Sequence, residues 1–138
     1  MFCDDGIVRP VIQATALAGS GSWLPVDFLV DVGADRTVFA APTLANLELP
    51  VMPAHQQLGG VGGAVPTVGI DSQIRLLCED GRVVLFRGSF AAFTQPESLD
   101  MSVLGRDITN YFAVIIDRPG DVVCLLGQRH RYSISEVV

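Results

Sequence analysis

Apolar positions along this chain come in short runs, separated by Gly, Pro, Asp and Ser, which is the texture of an all-β domain. Residues 10–17 (PVIQATAL) read as a strand, GSGS at 19–22 as its turn, and residues 23–31 (WLPVDFLVD) as a second strand. The end of that second strand, FLV, is continuously apolar, which predicts burial on both faces. After a loop over 31–35, TVFAA predicts a further strand and PTLANL, at 42–47, one short helical turn. Residues 51–58 and 65–78 flank a glycine-rich tip, LGGVGGAV. Over 73–79 the alternation puts Ile74, Leu76 and Cys78 on one face and Gln73, Arg75 and Glu79 on the other. Asp80-Gly81 predicts a tight hairpin turn, since both residues tolerate positive φ, with a return strand over about 82–94.

Beyond a polar loop, TQPESLD, the pattern predicts a short strand at SVLG and a helix at RDITNYF. FAVIID, a turn at RPGD, VVCLLG and RHRYSIS then predict two or three more strands. There is no linker, low-complexity segment or internal repeat of 20–50 residues, so the expectation is a single domain over residues 1–138.

Composition narrows the function. The chain is 49% apolar, enough for a buried core, yet no apolar run reaches membrane-span length. No basic segment followed by an apolar stretch opens the sequence, so no secretory signal and no membrane partner are expected. The net charge is -6 and all 9 basic residues are Arg. Only Arg129, His130 and Arg131 cluster, which argues against a nucleic-acid surface. Without Lys there is neither a phosphate-binding P-loop nor Schiff-base chemistry. Cys3, Cys78 and Cys124 are odd in number and widely spaced, which predicts free thiols, a reducing, cytoplasmic location and no metal site. His55 and His130 stand alone and build neither a triad nor a zinc site, and no cofactor is expected.

Three features carry candidate chemistry. Asp31-Val32-Gly33-Ala34-Asp35 follows the apolar strand directly. Val103-Leu104-Gly105 comes about seventy residues later, ahead of Arg106 and the predicted helix. Between them, Gly59-Gly60-Val61-Gly62-Gly63 joins two β runs at a mobile tip able to carry Val61 towards a ligand. Each alone has an ordinary structural explanation: a turn aspartate, a buried strand before a helix, a flexible hairpin.

In this order the three resemble the retropepsins, the single-domain homodimeric aspartic proteases of retroviruses and their cellular and bacterial relatives. The resemblance covers about residues 9–112, including Arg9-Pro10 before the first strand, FLVDVGADRTVF and the flap-like GGVGGAV. It implies an all-β acid-protease fold: a closed, barrel-like domain with a Gly-rich flap hairpin and one short C-terminal helix. It also implies an aspartic endopeptidase. In such enzymes two carboxylates hold one water and share one proton, because two so close cannot both ionise. This chain has one D-x-G-A, and neither Asp27 nor Asp35 is followed by such a glycine. Catalysis would therefore pair Asp31 with its copy across a two-fold axis of a homodimer acting on a peptide or protein substrate.

Further roles follow from the resemblance. Gly33 gives backbone and water close access. Asp35 would accept hydrogen bonds from substrate backbone, Arg106 would pair with Asp35, and Arg9 would reach Asp35 of the second copy; the alternative for both arginines is a solvated charge. Ala34, Val38, Leu58, Val61, Met101 and Val103 would line apolar subsites, with Gly59 and Gly60 in the flap, predicting hydrophobic residues at the cut; ordinary core is the alternative for the apolar ones.

The sequence departs from the family twice. Position 32 is Val where the family has Thr or Ser, so a hydroxyl that bonds across the dimer axis is missing. Residues 113–138 form an added β tail, a candidate for a larger dimer interface. Val32 keeps a rival reading open: a weak or inactive retropepsin-like dimerisation or peptide-binding module. A small β-barrel ligand carrier is a third reading, and requires all three motifs to be coincidence.

Overall fold

The computed structural model describes residues 6–54, 58–60, 63–128, 133, 135 and 136. Val61, Gly62, Cys3, both histidines and most of the predicted strand RHRYSIS lie outside the described residues.

Three of the hairpins organise the chain, and two of these share one turn geometry. β1 (Val11–Leu17) returns into β2 (Trp23–Val30), with Ala18 donating to the Ser22 carbonyl at 2.8 Å and Gly21 to that of Ala18 at 3.0 Å. The same pair of bonds, Cys78 to Arg82 at 2.8 Å and Gly81 to Cys78 at 3.0 Å, closes the hairpin of two long strands, Thr67–Leu77 and Val83–Phe93. Gly21 (φ 87°) and Gly81 (φ 85°) take the left-handed position, giving a three-residue loop with a bulge. Asp80 itself does not adopt positive φ. It instead accepts the Arg82 amide at 3.0 Å, and this bond, then the Arg82 guanidinium, hold its carboxyl below the usual range. In the third hairpin, near the C-terminus, Asp121 (φ 54°) occupies the left-handed position.

Short elements close the first two of these hairpins into a barrel. β3 is Val38–Phe39, followed by α1 (Ala41–Leu47), β4 (Met52–Pro53), β5 (Leu58–Gly60) and β6 (Gly63–Val65). The two long strands are β7 and β8; β9 (Ser102–Leu104) and α2 (Arg106–Thr109) follow, then β10 (Ala113–Asp117) and β11 (Val122–Leu126). The main sheet runs β1-β2-β9-β3-β8-β7, and β7 returns to β1 through Thr15–Arg75 and Ala16–Ile74, closing six strands. β4 lies on β7, while β5–β6 and β10–β11 are separate two-stranded sheets. This is the all-β, closed-barrel fold that the resemblance implies.

Alternation puts Ala14, Ala16, Val26, Phe28, Ile70, Ile74, Leu76, Phe90 and Leu104 inside. Phe39 sits edge-on between Phe28 (5.6 Å) and Phe90 (5.9 Å), and each buried ring contributes about 1.5–3 kcal/mol. On the outer face, the Arg75 guanidinium lies 4.3 Å from the Trp23 ring centre.

Some local expectations change. Leu29 is half-buried between buried Phe28 and Val30, because β2 has an inner and an outer face rather than two covered ones. TVFAA shortens to two strand residues, since α1 begins at Ala41 with Pro42 in its first turn. That helix, with seven residues, is longer than α2, with four. α2 stops early because Tyr111 and Phe112 donate three residues back, to Ile108 and Thr109, and the chain turns into β10. The α1 end is clasped by the first hairpin: Gly19 donates to the Leu47 carbonyl at 2.7 Å.

Candidate active site

The site is built where two parallel strands end together. β2 and β9 pair in parallel through Phe28–Ser102, Leu29–Val103 and Val30–Leu104. At their ends the Asp31 amide donates to the Leu104 carbonyl at 3.1 Å, continuing the ladder one step into the loop. The loop then turns at once, with the Ala34 amide donating to the Asp31 carbonyl at 3.2 Å. One carboxylate oxygen of Asp31 accepts the Gly33 amide at 2.9 Å, fixing the side-chain rotation and leaving its second oxygen for other partners. A Cβ at Gly33 would stand 3.2 Å from that same oxygen, so glycine here keeps the carboxylate uncrowded. Asp31 is half-buried, and Val32 beside it is 54% exposed.

The segment after β9 grips the far side of the loop. Arg106 donates its amide to the Ala34 carbonyl at 2.8 Å, and its guanidinium pairs with the Asp35 carboxylate. The loop 31–35 and residues 104–106, some seventy positions apart, thus meet through Arg106. Gly105 lies so close to Arg36 that an added Cβ would be 2.3 Å from the Arg36 carbonyl carbon. This glycine is required by close approach, and its φ of -95° is ordinary.

Two residues that sequence reasoning passed over complete the junction. The fully buried Thr37 donates its hydroxyl to Asp107 at 2.7 Å and its amide to both Asp107 carboxylate oxygens at 3.0 Å. The Gly105 amide in turn donates to the Thr37 hydroxyl at 3.1 Å. In the sequence Thr37 reads as the start of a strand and Asp107 as a first-turn helix acid; no local signal links them.

The other candidates are spread more widely. Val38 and Val103 pair with each other across β3 and β9 and are each 7% exposed, so both serve the barrel wall. Met101 is half-buried just before β9. Leu58, Gly59 and Gly60 form β5, paired with β6 through Leu58–Val65, Gly59–Ala64 and Gly60–Gly63. Arg9 is half-buried and donates to the Ile7 carbonyl at 3.3 Å. A groove of about 880 Å³ lies among β1, the β7–β8 turn and β11, with Cys78 and Cys124 in its walls. A smaller concavity of about 340 Å³ lies on β7–β8. No residue of the loop 31–35 lines either one.

Comparison with known proteins converges on one family. Residues 6–116 match the family model of the retroviral aspartyl protease. Among solved structures, the EIAV protease complexed with the inhibitor HBY-793 superposes with a TM-score of 0.56 at 23% identity, covering 79% of this chain and 92% of that one. A retropepsin-like aspartic protease from Rickettsia conorii gives a TM-score of 0.48 at 18% identity, over 82% of this chain and 88% of that one, a likeness too slight to argue from. No curated protein sequence matches. The family model spans the barrel, the Asp31 loop and the 104–107 junction alike: the chain belongs to the retroviral aspartyl protease family.

Proposed function

We propose that the chain is an aspartic endopeptidase in which Asp31 and the Asp31 of a second copy hold the attacking water between them. The observation that carries this reading is the placement of Asp31: fixed at the end of β2 by Leu104 and Gly33, yet open to the surface. A carboxylate with one oxygen committed and the other available suits a water shared with a second carboxylate. The charged member takes a proton from the water as its oxygen attacks the peptide carbonyl carbon. The protonated member donates to the carbonyl oxygen, and transfer of a proton to the amide nitrogen lets the C–N bond break.

The two-fold partner is supported by the single D-x-G-A and by Val32, an exposed apolar residue beside Asp31. The β10–β11 hairpin adds Ile115, Ile116 and Val122, between 39% and 46% exposed, as a further surface for the second copy. Extended peptides would bind between the glycine-rich hairpin β5–β6, acting as a flap, and the loop, with hydrophobic side chains flanking the cut. Asp35 would accept hydrogen bonds from substrate backbone, and the wall would be apolar at Ala34, Val38, Met101 and Val103.

Val32 also favours a second reading, a peptide-binding module that no longer cuts, because the hydroxyl the family uses at this position is gone. Incubation with a mixed peptide library between about pH 4 and 7 separates the two. Cleavage that disappears in Asp31→Asn supports the protease; peptide capture without cleavage at any protein concentration supports the module.

A further inference from the structure

We infer that Thr37 and Asp107 are positioning residues for the catalytic loop, acting as a latch, buried at Thr37 and exposed at Asp107, that sets where Asp31 stands. The inference rests on the proposed protease reading. Its geometry comes from the direction of each hydrogen bond. The Thr37 hydroxyl accepts from the Gly105 amide at 3.1 Å, so its single proton is free for Asp107, 2.7 Å away. The Thr37 amide is shared between both Asp107 oxygens at 3.0 Å. The Thr37 hydroxyl and amide are therefore both satisfied at full burial, and both Asp107 oxygens act as acceptors.

The latch controls the loop through Gly105. That residue lies between Leu104, whose carbonyl holds the Asp31 amide, and Arg106, whose amide holds the Ala34 carbonyl. Among the described residues its own amide is held by the Thr37 hydroxyl, and its α-carbon is pressed against the Arg36 backbone with no room for a side chain. Releasing the hydroxyl frees Gly105 from the loop, and with it the two backbone bonds that orient Asp31. The Arg106–Asp35 pair, largely exposed, is a weaker tie and does not replace it. A catalytic group displaced by about 1 Å loses on the order of a hundredfold in rate.

The test compares Thr37→Val, which keeps the shape and removes the hydroxyl, and Asp107→Ala with the conservative Thr37→Ser and Asp107→Asn. Two quantities are read: kcat and KM on a cleaved peptide, and hydrogen exchange at the amides of Asp31, Ala34 and Arg106. We expect Thr37→Val and Asp107→Ala to lower kcat roughly 10- to 100-fold with KM within about two-fold. The three amides should exchange at least about tenfold faster while those of the β7–β8 ladder keep their protection. Thr37→Ser and Asp107→Asn should restore both. Unchanged kcat in an active background, or faster exchange spread evenly over the barrel, would overturn the latch. If Asp107→Ala does not fold, Thr37→Val decides. If the wild type cuts nothing, the protease reading fails, and exchange at the three amides alone decides whether the latch holds the loop.

Discussion

Arg106 holds the Asp31 loop at two points: its amide donates to the Ala34 carbonyl at 2.8 Å, and its guanidinium pairs with Asp35. The two bonds differ in worth. The backbone bond survives any side-chain change, whereas the ion pair joins side chains that are 47% and 77% exposed. Arg106→Ala should therefore cost less than about 1 kcal/mol in urea unfolding, with the loop still seated. A loss several times larger would show that the guanidinium carries more than this pair.

Gly105→Ala should behave very differently. The new Cβ would meet the Arg36 carbonyl carbon at 2.3 Å, and backbone on both sides leaves nothing flexible to yield. We expect about 3 kcal/mol of destabilisation or more, or no soluble protein. Gly88→Ala is the matched control, because its Cβ meets nothing within 4 Å. It should change stability by no more than about 0.5 kcal/mol, and equal effects at the two glycines would contradict the close-approach argument.

Val32→Thr should tighten the proposed dimer. Restoring one hydroxyl per chain adds two symmetric hydrogen bonds at about 1 kcal/mol each, on the order of thirtyfold in Kd. Sedimentation equilibrium on the two proteins measures this directly. An unchanged dissociation constant would remove position 32 from the interface.

The β7–β8 turn makes a prediction about pH. The Arg82 amide and then its guanidinium lower the Asp80 pKa in the folded chain. The stability Asp80 contributes is thus present above its unfolded pKa and lost as pH falls through the folded one. In a carbon-detected titration, Asp80 should ionise below an unstructured aspartate. Arg82→Ala should raise the midpoint only part-way, since the amide donor remains. A wild-type midpoint at or above the ordinary value would contradict the turn geometry.

Much of the frame is legible in local pattern. The strands β1, β2, β7 and β8 follow from alternation, and Gly21 and Gly81 mark two of the turns by their left-handed backbone. Asp31, Gly33 and Arg106 are legible as a motif because their order along the chain is distinctive. What local pattern does not encode is which distant segments meet. The parallel pairing of β2 with β9 and the two-residue closure of β1 on β7 depend on the closed barrel. The Thr37–Asp107 latch spans 70 positions and uses two residue types that are ordinary in a strand and a helix start. The relative lengths of α1 and α2 differ from what the local pattern suggests for a similar reason. Packing of Leu47 and the clasp from Gly19 complete α1, whereas α2 is cut short by the turn into β10.

The central claim is that Asp31 works only with its copy, and subunit mixing tests it most directly. Wild-type chain is equilibrated with an equal amount of Asp31→Asn chain at fixed wild-type concentration, and peptide cleavage is followed. If each active site needs two Asp31 carboxylates, mixed dimers are dead, and activity should fall to about half of the unmixed wild type. It should keep falling as the Asp31→Asn chain is raised in excess. Activity that stays constant as Asp31→Asn chain is added would mean that each chain cuts alone, and would contradict the shared dyad.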